Sequence, residues 1–121
     1  MLRSLRAAWH LLRVAVHVLH GLAIVRWRFG VLDAAARRER VLWWSRALLR
    51  HLGITLVVQG TPQPGAKLFV ANHISWLDIV AINATEPARF VSKAEVRHWP
   101  VLHRLVTAAG TLYLEREKRR D

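Results

Sequence analysis

The sequence contains no cysteine among its 121 residues. That excludes disulfides, thiolate metal ligands and a cysteine nucleophile, and it fits a reducing compartment. Acids are scarce: 8 Asp and Glu stand against 19 Lys and Arg, for a net charge of +11. A glycine-rich phosphate loop is missing, because Gly60 and Gly65 are separated by two prolines and no Lys-Ser/Thr follows them. The arginines come without zinc-ligand spacing, an RNA-binding aromatic motif or a basic zipper, which argues against a nucleic-acid surface. The uncharged apolar stretch Val14 to Val25 is shorter than the ~20 residues a bilayer span requires, and no small-residue cleavage site follows it as in a secretory leader. No repeat or low-complexity segment interrupts the chain.

What is present is apolar and basic together. Hydrophobic residues make up 53 % and the mean hydropathy is +0.15, which excludes disorder and leaves room for one domain. Residues 1–50 carry ten Arg and two acids, and four of the 6 Trp (Trp9, Trp27, Trp43, Trp44). Arginine interleaved with tryptophan and aliphatic residues suits an anionic membrane surface, with Arg on headgroups and Trp at the polar–apolar boundary.

Taken in order, the chain opens with a helix from about Trp9 to Val31. On a helical wheel His10, Arg13, His17 and His20 gather on one side, with Leu12, Val16, Leu19 and Ala23 across the other. This reads as an interfacial helix, its histidines on a polar face near headgroups; no carboxylate joins them to make a metal site. Asp33 is the N-cap of a second helix running to about His51 and stopped at Gly53, with Val41, Trp44, Leu48 and Leu52 on its apolar side and Arg37, Arg40, Arg50 and His51 toward water or headgroups. The two form an amphipathic hairpin over residues 1–53, lying on a membrane or covering one face of a sheet. Residues 54–121 read as strands at 54–59, 67–71, 89–93 and 111–115, with helices at 79–85 and 101–109. The expected fold class is therefore α/β, a helical hairpin followed by a partial, mainly parallel sheet with crossover helices.

The chemistry-bearing stretch is Asn72-His73-Ile74-Ser75-Trp76-Leu77-Asp78, at the end of an apolar run. His73 and Asp78 are close enough in sequence to share a hydrogen bond across a turn, the arrangement a general base needs from its orienting carboxylate. Spacing alone favours a structural histidine and a helix-capping aspartate over a catalytic pair. Ser75 gives no assured line of attack, so a serine hydrolase is not indicated.

Asn72-His73-Ile74-Ser75-Trp76-Leu77-Asp78 resembles the first signature of the glycerophospholipid acyltransferase family, the 1-acylglycerol-3-phosphate acyltransferases. Phe90-Val91-Ser92-Lys93-Ala94-Glu95, Trp99-Pro100 and Gly110-Thr111-Leu112-Tyr113-Leu114-Glu115-Arg116 look like the family's second signature region. The resemblance covers residues 50–121. It implies that His73 acts as general base on the free hydroxyl of a lysophospholipid, with acyl-CoA or acyl-carrier protein as co-substrate and no cofactor. Asp78 would orient His73, Arg116 would hold the acceptor's phosphate, and Lys93 would add positive potential. It also implies residence at the membrane, on the cytoplasmic face of the inner membrane.

The sequence departs from the family by lacking the third signature, Phe-Pro-Glu-Gly-Thr-Arg. A partial acyltransferase domain with weak or no activity alone is therefore expected, or else a non-catalytic membrane-associated remnant.

Overall fold

Asp33 decides where the chain turns back on itself. Its carboxylate accepts the N–H of Ala36 at 2.8 Å and opens a helix, satisfying a donor that the first turn leaves unpaired. In the computed structural model, which describes residues 1–72, 74–93, 102–108 and 112–114, helix α1 spans Leu2–Trp27 and α2 spans Ala34–His51. A 3-10 turn, Phe29–Val31, joins them. Arg37 pins the reversal: its Nε and Nη2 donate to the Phe29 carbonyl at 2.9 and 2.6 Å, with the guanidinium 5.4 Å over the Phe29 ring. At its far end α2 stops on a Schellman turn. Gly53, at φ 73°, donates to the Arg50 carbonyl and Ile54 to that of Leu49.

α1 and α2 run antiparallel, since His10 meets His51 and His17 meets Trp44. The second contact is reciprocal. His17 Nε2 donates to the Trp44 carbonyl at 2.9 Å, Trp44 Nε1 donates to the His17 carbonyl at 3.2 Å, and the rings stack 4.9 Å apart. Gly21 lets the indole in: a Cβ there would sit 3.0 Å from Trp44 Cε2 and closer still to Nε1. In an open helix site Gly→Ala gains about 1 kcal/mol. Here Trp44 must move, at an overpacking cost of about 1–3 kcal/mol plus about 1 kcal/mol for each hydrogen bond lost. Gly21→Ala is thus expected to destabilise the chain, lowering the urea midpoint followed by circular dichroism; an unchanged or raised midpoint would show that the helices do not approach this closely.

Ser75 starts α3 (Trp76–Asn83), which packs on α2. Leu48 and Leu49 of α2 meet Val80 and Ala84, and Val14, Trp44, Leu52 and Leu77 close the cluster. Polar ties hold the end of α3: Arg46 Nε donates to the Ala84 carbonyl at 2.8 Å, Arg38 Nη1 to Pro87 at 2.9 Å, and Lys67 pairs with Glu86 at 2.9 Å. Cations at these last carbonyls also complement the helix dipole. These contacts hold Glu86 well ionised: its carboxyl lies below the usual value, first through the Lys67 hydrogen bond and then through Arg38.

Three expectations require correction. The α/β class, with a partial mainly parallel sheet, is not what the chain adopts, because helices hold most of the described residues. Among them, β structure is limited to β1 (Val91–Lys93) and β2 (Leu112–Leu114), three residues each, paired in parallel with Val91 opposite Leu112; α4 (Leu102–Ala108) lies between them in sequence. Residues 54–59 and 67–71 are not strands. Their β-branched and aliphatic composition favours a pleated surface only where a cross-strand neighbour exists, and none is found among the described residues. Val57, Leu68 and Val70 consequently face outward.

The second correction concerns the histidine side of α1, expected at a polar surface. That expectation fails at His17, which is buried against Trp44 with Gly21 buried beside it, while His10 and His20 stay exposed. Because the neighbour supplies a carbonyl acceptor and an indole face, burying the imidazole costs little. Third, α3 begins three residues before the predicted Ile79, so that Asp78 lies within its first turn.

Candidate active site

The loop before α3 is built by a capping box. Ser75 Oγ accepts the N–H of Leu77 at 3.3 Å, and Asp78 reaches back to the Ser75 N–H at 3.0 Å. Asp78 also accepts the Ile74 N–H at 2.6 Å, so one oxygen, Oδ2, takes both backbone donors. These are the two residues that follow His73. Asp78 therefore fixes the backbone leading out of His73 and, as an acid in the first turn of α3, sits where the helix dipole favours negative charge.

Of the four residues singled out from the sequence, Asp78 is the one whose side chain the structure describes. It is half-buried. His73 and Arg116 lie outside the described residues. Lys93 closes β1, its backbone opposite Leu114, with its side chain outside the description. Asp78 thus performs the capping role that spacing favoured, and that role is compatible with orienting a neighbouring imidazole. Sequence reasoning passed over Ser75 as a structural residue. The signal was present, since Ser75-Trp76-Leu77-Asp78 has the Ser-x-x-acid spacing of a capping box, here with aspartate as the acid.

A second concavity lies at the other end of α3. It is an open groove of about 430 Å³ lined by Arg46, Leu49, Arg50, Ile54, Leu56 and Thr85, among others. It touches Ala84 and Thr85, which follow α3, whereas Asp78 belongs to that helix's first turn. No group of three or more metal-ligating side chains forms among the described residues.

Comparison with known proteins bears on the same region. A family profile described as Acyltransferase matches residues 54–121. A 1-acyl-sn-glycerol-3-phosphate acyltransferase of Neisseria meningitidis serogroup B is 42 % identical over 89 residues, covering 71 % of this chain and 34 % of the relative. A lyso-ornithine lipid O-acyltransferase of Pseudomonas aeruginosa is 38 % identical over 102 residues, covering 79 % of this chain and 40 % of the relative. A second protein of that name, from Rhodobacter capsulatus, is 43 % identical over 74 residues, or 61 % of this chain and 27 % of the relative. The chain therefore spans between a quarter and two fifths of the length of these relatives. No solved structure matches it. With the profile covering more than half of its residues, the chain belongs to the acyltransferase family.

Proposed function

We propose that this chain carries the base-bearing part of an enzyme that moves an acyl group from a thioester, acyl-CoA or acyl-carrier protein, to the free hydroxyl of a lysophospholipid or lyso-ornithine lipid. The observation that carries the reading is the Asp78 carboxylate bonded to the two backbone N–H groups that follow His73. In the proposed reaction His73 takes the proton of the acceptor hydroxyl as the oxygen attacks the thioester carbonyl. The tetrahedral intermediate collapses with loss of the thiolate, the proton passes to sulfur, and an ester and a free thiol result. Asp78 supports the transient imidazolium. Arg116 pairs with the phosphate of a phosphate-bearing acceptor, a planar contact that guanidinium makes in two parallel bonds, and Lys93 adds positive potential.

The exposed apolar face of α1 supports membrane association. Leu2, Leu5, Trp9, Leu12, Val16 and Leu19 recur at three- and four-residue steps and are 55–75 % exposed. Contrary to the expectation drawn from the short Val14–Val25 run, the 26-residue helix is long and apolar enough to cross a bilayer by length and composition. Its outward apolar stripe and its basic residues at 3, 6 and 13 suit a helix lying in the anionic cytoplasmic face of the inner membrane.

The test is a chimera in which this chain replaces the matched segment of the Neisseria meningitidis relative, assayed with lysophosphatidate and with a lyso-ornithine lipid. The parent chimera is expected to form ester. Asp78→Asn keeps an oxygen for the backbone donors but removes the charge, and should lower transfer by about 10²-fold at a stability cost of only about 0.3–1 kcal/mol from the lost charge at the helix start. Asp78→Ala should additionally cost about 0.5–2 kcal/mol of stability through the lost cap. A folded chimera that acylates neither acceptor, or that is indifferent to Asp78→Asn, would sink the proposal.

A further inference from the structure

The α1–α2 interface concentrates ionisable rings for which neither the acyl transfer nor the lipid stripe has a use. His17 stacks on Trp44, lies 4.9 Å from the His51 ring and 5.9 Å from Trp43, and His20 meets Trp43 edge-on at 5.9 Å. His10 Nδ1 donates to the His51 carbonyl at 3.0 Å. The Nδ1 of His51 is buried and has no hydrogen-bond partner among the described residues. Around these rings the charge is of one sign. His20, His51 and Arg50 bear on His17, and Arg13 and Arg50 bear on His51. From α4, which packs on α1, the ionisable residues in sequence are His103 and Arg104. The acids among the described residues are Asp33, Glu39, Asp78 and Glu86, and none of them acts on either ring.

We infer that the His17–Trp44–His51 cluster is an acid-released clasp, closed when its imidazoles are neutral and parting α1 from the C-terminal half of α2 when they protonate. A neutral ring already supplies the one N–H that His17 and His10 each need to reach a carbonyl, and although the bond to Trp44 by itself favours a protonated His17, the loss of water around the ring outweighs it. A second proton on His17 or His51 adds a charge in a partly buried contact that offers positive neighbours and, among the described residues, no carboxylate. Burial accordingly holds both His17 and His51 below the ordinary value of 6.5.

The direction of the effect follows from proton counting. Below about pH 6.5 the parted form binds more protons than the closed one, so closure is strongest above that pH and weakens as pH falls. Each such histidine favours parting by up to tenfold per pH unit until the closed form protonates too.

The absence of cysteine permits site-specific labels. Nitroxides at Ala8→Cys and Arg40→Cys, exposed positions on α1 and α2, would report the interhelix distance by pulsed electron paramagnetic resonance on the full chain in a neutral detergent. The expected result is a reversible lengthening between about pH 6.5 and 5, with helix content retained. In His17→Gln/His51→Gln the amides keep hydrogen-bonding capacity without titrating, and the distance should not change. His51→Gln, which leaves the His17–Trp44 pair intact, should show a smaller lengthening and serves if the double variant does not fold. An unchanged distance in the parent chain, or equal lengthening in the variants, would overturn the proposal.

Discussion

Replacing His73 by alanine is expected to lower acyl transfer by the chimera about 10²–10⁴-fold, the usual contribution of a positioned general base. A hydroxyl is a poor nucleophile at neutral pH, and among the residues of the 72–78 stretch only His73 titrates near neutrality. The two residues that follow it are held by the short bonds from Ile74 and Ser75 to Asp78, an ordering that, in the proposed mechanism, precedes the reaction. Because those bonds use backbone N–H groups of other residues, truncating the imidazole leaves the capping box intact. Stability and membrane binding should therefore be unchanged. His73→Gln is the sharper variant: it retains a hydrogen-bonding group but has no basicity, and it should be as inactive as the alanine variant. Transfer at the parent rate by either would remove His73 from the mechanism. The contrast with Asp78 is itself informative, since an orienting carboxylate is worth less than the base it serves.

How much of this was legible beforehand depends on whether the cause was local. The start of α2 was readable because Asp33 bonds its own helix three residues on, and its stop because Gly53 adopts a positive φ that other residues resist. The inward faces of Trp44, Leu48 and Leu52 followed from helical periodicity. Residues 54–59 and 67–71 misled for a non-local reason. Their composition is that of buried strands, but a strand exists only with a partner, and composition does not contain the partner. His17 misled similarly. A wheel separates polar from apolar sides without saying which side another helix will cover. The small residue at 21 and the indole at 44 settle that question, through a contact 23 positions apart in sequence. For the candidate site, the motif supplied the residue types, and the Ser75–Asp78 spacing contained a capping box of which only the aspartate's part was weighed.

Exchanging Leu12, Val16 and Leu19 together for aspartate should abolish binding to vesicles containing anionic lipid, a loss of at least about 100-fold in partition coefficient. Each side chain is more than half exposed on the stripe, and fully burying a Leu or Val is worth about 1.5–3 kcal/mol. Counting only about half of that for an interfacial position, the three contribute roughly 3 kcal/mol, or about 100-fold, before charge repulsion is added. The basic residues act differently. Each Lys or Arg near an anionic surface contributes about 1 kcal/mol, and that part decays with salt. Arg3→Gln/Arg6→Gln should therefore weaken binding at low salt by roughly 30-fold and hardly at all at high salt, while the aspartate variant should fail at both. The inside of the hairpin provides the control, because the substituted positions do not belong to the Leu48–Leu49–Val80–Ala84 cluster or to its flanking contacts, and helix content should persist. If the aspartate variant still sedimented with vesicles, the outward stripe would not be the lipid-facing side. The exposed apolar stripe would then need another receiver, because a helix that buries His17 and shows its apolar side is stable only where something apolar receives it.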